Sequence, residues 1–258
     1  MGPWRLTDPE TDRIGGIIRP IFVRRTPGRS GGEASGMGPE GGEIAAFFDV
    51  DHTVLSVSSA RQWVRYLRRS GRMTRTLWWT FLWLALRYYL GLLEFPRANA
   101  RLMAMIAGAD EGAFREETRR WFEEWVQPYI APGAVERIQA HRRRGHRVVL
   151  ISAATEYVVR PLAETLSIAD YLYTRLEVVD GRLTGRVVEP PCYGPGKVYW
   201  AERYATERGS DLSRSYFYTD SYTDLPLLLR VGYPVAVNPD PRLRRLARRR
   251  GWSIEHFY

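Results

Sequence analysis

The sequence predicts a doubly wound α/β core, with a mostly parallel sheet interrupted by an inserted all-helical segment. Short and almost continuous apolar runs recur along the chain, as expected of strands buried on both faces. Helical periods accompany these runs, which is the alternation of βαβ units. One long stretch, residues 58–140, breaks the alternation with helical periods throughout and little β signal.

Composition bounds the remaining classes. Of 258 residues, 45% are hydrophobic and 26% charged, so the chain can bury a sizeable core and is not disordered as a whole. Cys192 is the single cysteine, which rules out an internal disulfide, a disulfide mini-protein and cysteine-rich zinc folds. That usage predicts an intracellular, cytoplasmic protein. Lys and Arg total 38 against 29 Asp and Glu, a formal +9 that is almost all arginine. The balance points to anionic partners: nucleic acid, an anionic membrane face or phosphorylated small molecules.

Residues 1–42 mix Gly, Pro and Arg without a sustained apolar period and read as a loose tail, and Met37 stands as an alternative start. Ile44–Val50 is the first core strand. A second run, Arg147–Ser152, follows a helix that Gly145 is suited to end. Leu176–Val187 reads as a hairpin turned at Asp180-Gly181. Ser215–Thr219 and Tyr233–Val237 are further strands, followed by helical patterns at Leu225–Arg230 and Pro241–Arg250. The core therefore comprises 43–57 and 141–258, with 58–140 as a helical cap.

Chemistry-bearing residues fall at the ends of these runs. The first strand ends in Asp49-Val50-Asp51-His52-Thr53. Its two carboxylates converge only if the chain turns as it leaves the sheet, and strand carboxyl ends are where ligands bind in open parallel sheets. Ser152 ends the second run, Lys197 opens a helical pattern, and Asp220 and Asp224 follow the strand ending at Thr219. Taken singly, the aspartates and Ser152 read as caps or turn residues, and Lys197 as a solvated surface charge. Their joint order and placement favour a site.

Over residues 44–257 this pattern resembles the four motifs of the haloacid dehalogenase superfamily. It is nearest the phosphatases of its phosphoserine-phosphatase-like subgroup, which carry a helical cap between the first and second motifs. The resemblance implies a Rossmann-like core and a phosphomonoesterase. Asp49 would be the nucleophile that forms an aspartyl-phosphate, and Asp51 would protonate the leaving alcohol and then activate water. Mg²⁺ would be bound by Asp49, the Asp51 main-chain carbonyl and Asp220, with Asp224 orienting ligands around it. Ser152 and Lys197 would hold the phosphoryl oxygens. His52 is assigned no role.

Asp51 argues against the dehalogenases, which lack the second aspartate, and against the ion pumps, which replace it with threonine. Phosphoserine phosphatase proper carries a glutamate nine residues after the nucleophile, where this chain has Ser58. Ala153 and Thr223 also replace that enzyme's usual Gly and Asn. The phosphoryl chemistry is unaffected; serine phosphate as substrate is not supported.

Within the insert, the uncharged run Thr76–Leu86 is too short for a lone membrane span. It reads as a buried cap helix or as one lying on a membrane face, the latter suited by Arg61, Arg65, Arg68, Arg69, Arg72 and Arg75 upstream and by Trp78, Trp79 and Trp83 within. A small phosphorylated metabolite is therefore the expected substrate, with a lipid phosphate at a membrane surface as the alternative. An inactive binding protein retaining the fold is a further alternative. Arg242, Arg244, Arg245, Arg248, Arg249 and Arg250 read as a solvated final helix, because no aromatic platform accompanies them in the sequence, and no nucleic acid is expected.

Overall fold

The computed structural model describes residues 42–72, 79 and 103–258. The tail reading over 1–41, and the cap-helix or membrane-face readings of Thr76–Leu86 with Trp78 and Trp83, lie outside the described residues. Among the described residues, no helix is long and apolar enough to cross a membrane.

Strand β1 (Ala45–Phe48) is buried at every position, as its unbroken apolar sequence requires. Helix α1 (Ser59–Arg69) begins at Ser58, whose hydroxyl accepts from the Arg61 N–H and caps the first turn. After the described residues resume, α2 (Glu111–Trp125) is capped in the same way by Asp110, and α3 (Pro132–Arg143) starts on a proline. Ala134, Ile138 and His141 of α3 are buried, and Ala134 and Ile138 pack with sheet residues, so this helix lies against the core.

Strand β2 (Arg147–Thr155) runs three residues past the predicted end at Ser152, and its pairing with β3 (Asp170–Thr174) shifts register between Ser152 and Thr155. Helix α4 (Glu156–Thr165) connects the two. The hairpin β4 (Leu176–Val179) and β5 (Arg182–Val187) turns at Asp180 and Gly181 as expected, both with positive φ. Helix α5 (Pro195–Arg208), strand β6 (Tyr216–Thr219), the short α6 (Leu225–Leu228), β7 (Tyr233–Val237), α7 (Pro241–Arg250) and β8 (Ser253–Glu255) complete the chain.

Six strands form one sheet in the order β3-β2-β1-β6-β7-β8, and every neighbouring pair is parallel. The chain winds outward from β1 through β2 to β3, then returns to the other side of β1 with β6 and winds outward again. The reversal falls between β1 and β6. That switch point opens a crevice at the strand carboxyl ends. Phe48, Leu150, Ile138, Tyr218 and Val237 belong to the core cluster packed on the sheet, each large apolar side chain contributing roughly 1.5–3 kcal/mol.

Candidate active site

The two strands flanking the switch point deliver the acidic residues. Asp49 follows β1, and its N–H donates to Tyr218 O of β6 at 2.9 Å. The chain then makes a wide turn over Val50–Val54, closed by Leu55 N–H donating to Val50 O at 2.9 Å. Inside it His52 has φ 57°, the left-handed conformation that bends the chain so that Asp51 turns toward α1. Asp51 Oδ1 accepts from Ser59 N–H and Oδ2 from the Ser59 hydroxyl, both at 3.0 Å. A helix N-terminus with its free N–H groups is a favourable place for that carboxylate.

Lys197 lies in the first turn of α5 and is 2% exposed. It is no solvated surface charge. Its ammonium donates to Asp49 Oδ1 and to Asp224 Oδ2, each at 2.6 Å. The Thr219 hydroxyl also donates to Asp224 Oδ2, at 2.7 Å. Asp224 thus orients Lys197, and Lys197 engages only one oxygen of Asp49. The first turn of α5 comes this close because residue 196 is glycine: a Cβ there would stand 1.9 Å from Pro191 O.

Burial pushes the Asp49 carboxyl up to about 7; Lys197 opposes that and Asp224 adds to it. Burial, then the Asp49 and Asp224 carboxylates, push Asp220 up to about 8. Asp51 is raised by burial against the two Ser59 hydrogen bonds. Burial would lower Lys197, yet the Asp224 and Asp49 carboxylates outweigh it and hold the ammonium charged. Ser152 is buried at 2% exposure, and its Oγ accepts from Ala154 N–H at 3.1 Å, which leaves its own proton free to donate. Cys192 is buried nearby, its thiol pushed by burial up to about 12 and therefore inert as a nucleophile.

Asp49, Asp220, Asp224 and Lys197 are therefore mutually interacting, and Asp51 branches off the same turn. Three carboxylates share one ammonium, and the upward shifts of Asp49 and Asp220 come first from burial and then from the carboxylates beside each. That donor set suits a hard divalent cation, which takes one or two carboxylates together with carbonyl, water and phosphate oxygens. Among the described residues no group of three or more His, Cys, Asp or Glu side chains could hold a metal alone. The expected donor set, two carboxylates and the Asp51 carbonyl, does not call for one. Sequence reasoning missed Ser59 and Thr219; each adjoins a residue it had singled out, and neither carries a signal of its partner.

The family profile described as haloacid dehalogenase-like hydrolase matches residues 46–229. The chain is 31% identical to a histidinol-phosphatase of Neisseria meningitidis serogroup C over 217 residues, covering 82% of this chain and 98% of that protein. It is 35% identical to a phosphoserine phosphatase of Mycobacterium tuberculosis over 217 residues, covering 83% of this chain and 70% of that protein. A crystal structure of a protein of unknown function from Bordetella pertussis superposes with a TM-score of 0.75 at 31% identity, covering 84% of this chain and all of that one.

Proposed function

The chain belongs to the haloacid dehalogenase-like hydrolases, and on that premise we propose that it is a Mg²⁺-dependent phosphomonoesterase working through an aspartyl-phosphate on a small phosphorylated metabolite. One observation carries the reading: Lys197 bridges Asp49 and Asp224 at 2.6 Å each, beside Asp220, at the switch point of the sheet.

Lys197 holds Asp49 Oδ1, so Asp49 Oδ2 is the oxygen that attacks phosphorus. As that bond forms, the bond from phosphorus to the substrate's ester oxygen breaks, and Asp51 gives its proton to the departing alkoxide. The raised Asp51 carboxyl suits a group that must start protonated. Water then attacks phosphorus, Asp51 takes its proton, and the bond to Asp49 breaks to release inorganic phosphate. Ser152 donates its hydroxyl proton to a phosphoryl oxygen and Lys197 supplies positive charge beside it. Asp49, the Asp51 carbonyl and Asp220 would hold Mg²⁺, which when bound offsets the charge on the phosphoryl oxygens. Residues 58–140 would act as the cap that excludes bulk water and selects the substrate.

Ser58 stands where an amino-group-binding glutamate would support serine phosphate, and its side chain caps α1 instead. Relatives named for histidinol phosphate and for phosphoserine make these the first two substrates to compare. Hydrolysis of an aryl phosphate, with and without Mg²⁺ and with Asp49→Asn, tests the reaction class. Turnover that is metal-dependent and lost in the variant is expected. Turnover that persists in Asp49→Asn overturns the mechanism. A screen of histidinol phosphate, phosphoserine and lysophospholipid phosphates, with and without liposomes, then ranks metabolite against lipid.

A further inference from the structure

Helix α7 differs from α2 and α5 in how its arginines are placed. On α2, Arg119 faces Glu123 and Arg120 faces Glu116; on α5, Arg203 faces Glu207. Helix α7 contains no acidic residue between Pro241 and Arg250. Arg242, Arg245 and Arg249 are exposed on one face, at the spacing that stacks side chains along a helix. Among the described residues none of the three pairs with a carboxylate, and Arg245 donates only to Pro241 O at 3.1 Å.

These side chains line an open cavity of about 410 Å³ together with Leu246 and Tyr222. Tyr222 comes from the loop between Asp220 and Asp224 and gives this face an aromatic side chain from outside the helix, whereas Trp252, just past α7, lies under Arg250. The cavity wall is preset. Asp240 caps α7 through Oδ1, accepting from Arg242 N–H at 2.7 Å and Leu243 N–H at 2.9 Å, while its Oδ2 accepts from Tyr222 N–H at 2.6 Å. One carboxylate therefore fixes both the arginine helix and the tyrosine loop, which lowers the ordering cost of binding.

We propose that the cavity formed by Arg242, Arg245, Arg249 and Tyr222 is a second phosphate-binding site for a small polyphosphorylated anion, built on α7 and bordering the loop that carries Asp220 and Asp224. Guanidinium groups match phosphate oxygens with two parallel hydrogen bonds, and three of them match a ligand carrying several phosphates. The Tyr222 ring offers a flat face for the organic part of such a ligand. The volume lies within the usual range for small-molecule sites.

The test is calorimetric titration of the full chain with inorganic tripolyphosphate at physiological salt, beside a variant combining Arg242→Gln, Arg245→Gln and Arg249→Gln. The variant should bind at least about tenfold more weakly, while its turnover of an aryl phosphate stays within about twofold. Equal affinity in both chains overturns the proposal, since the anion is then held elsewhere. Equal binding of sulfate at matched ionic strength also overturns it, because the face is then a diffuse counter-ion surface. Vesicles of phosphatidylcholine with and without phosphatidylglycerol, and a single-stranded oligonucleotide, form further arms. Arginine-dependent binding seen only with either of these replaces the small anion with a membrane or nucleic acid and overturns the proposal as stated.

Discussion

Lys197 and His141 are both bases at 2% exposure, packed near the same sheet, and they end in opposite charge states. Lys197 has Asp49 and Asp224 at 2.6 Å and stays charged despite burial. The neighbours of His141 are the His146 ring and the Tyr218 hydroxyl, each at 2.8 Å. Burial, then the charges of His146, Arg137 and Arg144, push it down to about 4. A buried base keeps its proton only where carboxylates are supplied with it, so charge in this interior marks where carboxylates were placed rather than where bases were. Asp49 and Asp224 are supplied at the switch point; among the described residues none stands beside His141.

The largest effect that could break this comparison is at Lys197. Lys197→Met strands two buried carboxylates, and it should cost about 3–5 kcal/mol of stability. It should also lower aryl phosphate turnover by about a thousandfold. Thermal melts and initial rates check both, with Lys197→Arg as the charge-retaining control. A Lys197→Met chain that melts and turns over like the parent would show the pair to be unimportant.

His141 sharpens the other side. Its folded value of about 4 lies below the ordinary 6.5, so the unfolded chain binds the proton more readily between those limits. The stability it contributes is complete above 6.5, is lost as pH falls toward 4, and changes no further below that. The loss is on the order of 3 kcal/mol. Urea unfolding at stepped pH values reads it, and His141→Gln should flatten that part of the slope. An unchanged slope in the variant would assign the proton uptake elsewhere.

The smallest expected effect concerns Asp51, whose partner is a hydroxyl and a helix N–H instead of a cation. Ser59→Ala removes one hydrogen bond to a carboxylate and should reduce kcat about tenfold. Ser59→Thr, which keeps the hydroxyl, should restore most of it. Rates for the two variants that match each other would remove Ser59 from any positioning role.

Much of this architecture was legible because burial writes itself into composition. The apolar runs at β1, β2, β6 and β7 are continuous, and each chemistry-bearing residue follows or borders such a run or opens a helix. Strands β3 and β8 were not read. Buried and half-buried positions alternate along β3, and β8 is a three-residue sheet edge with one apolar side chain. At the site, residue types and order were legible, whereas the Ser59 and Thr219 contacts depend on side-chain direction across a turn. The burial of Lys197 was likewise invisible, since an isolated lysine in a helical pattern reads as solvated. Tyr222 and the α7 arginines show the same limit: proximity between segments that follow neighbouring strands leaves no local mark.

Gly196 carries no functional group, yet any side chain there would drive the start of α5 into the Pro191 carbonyl and carry its neighbour at 197 away from both partners. A saturation survey scored by catalysis would rank position 196 beside the aspartates, a packing lesion disguised as a chemical one.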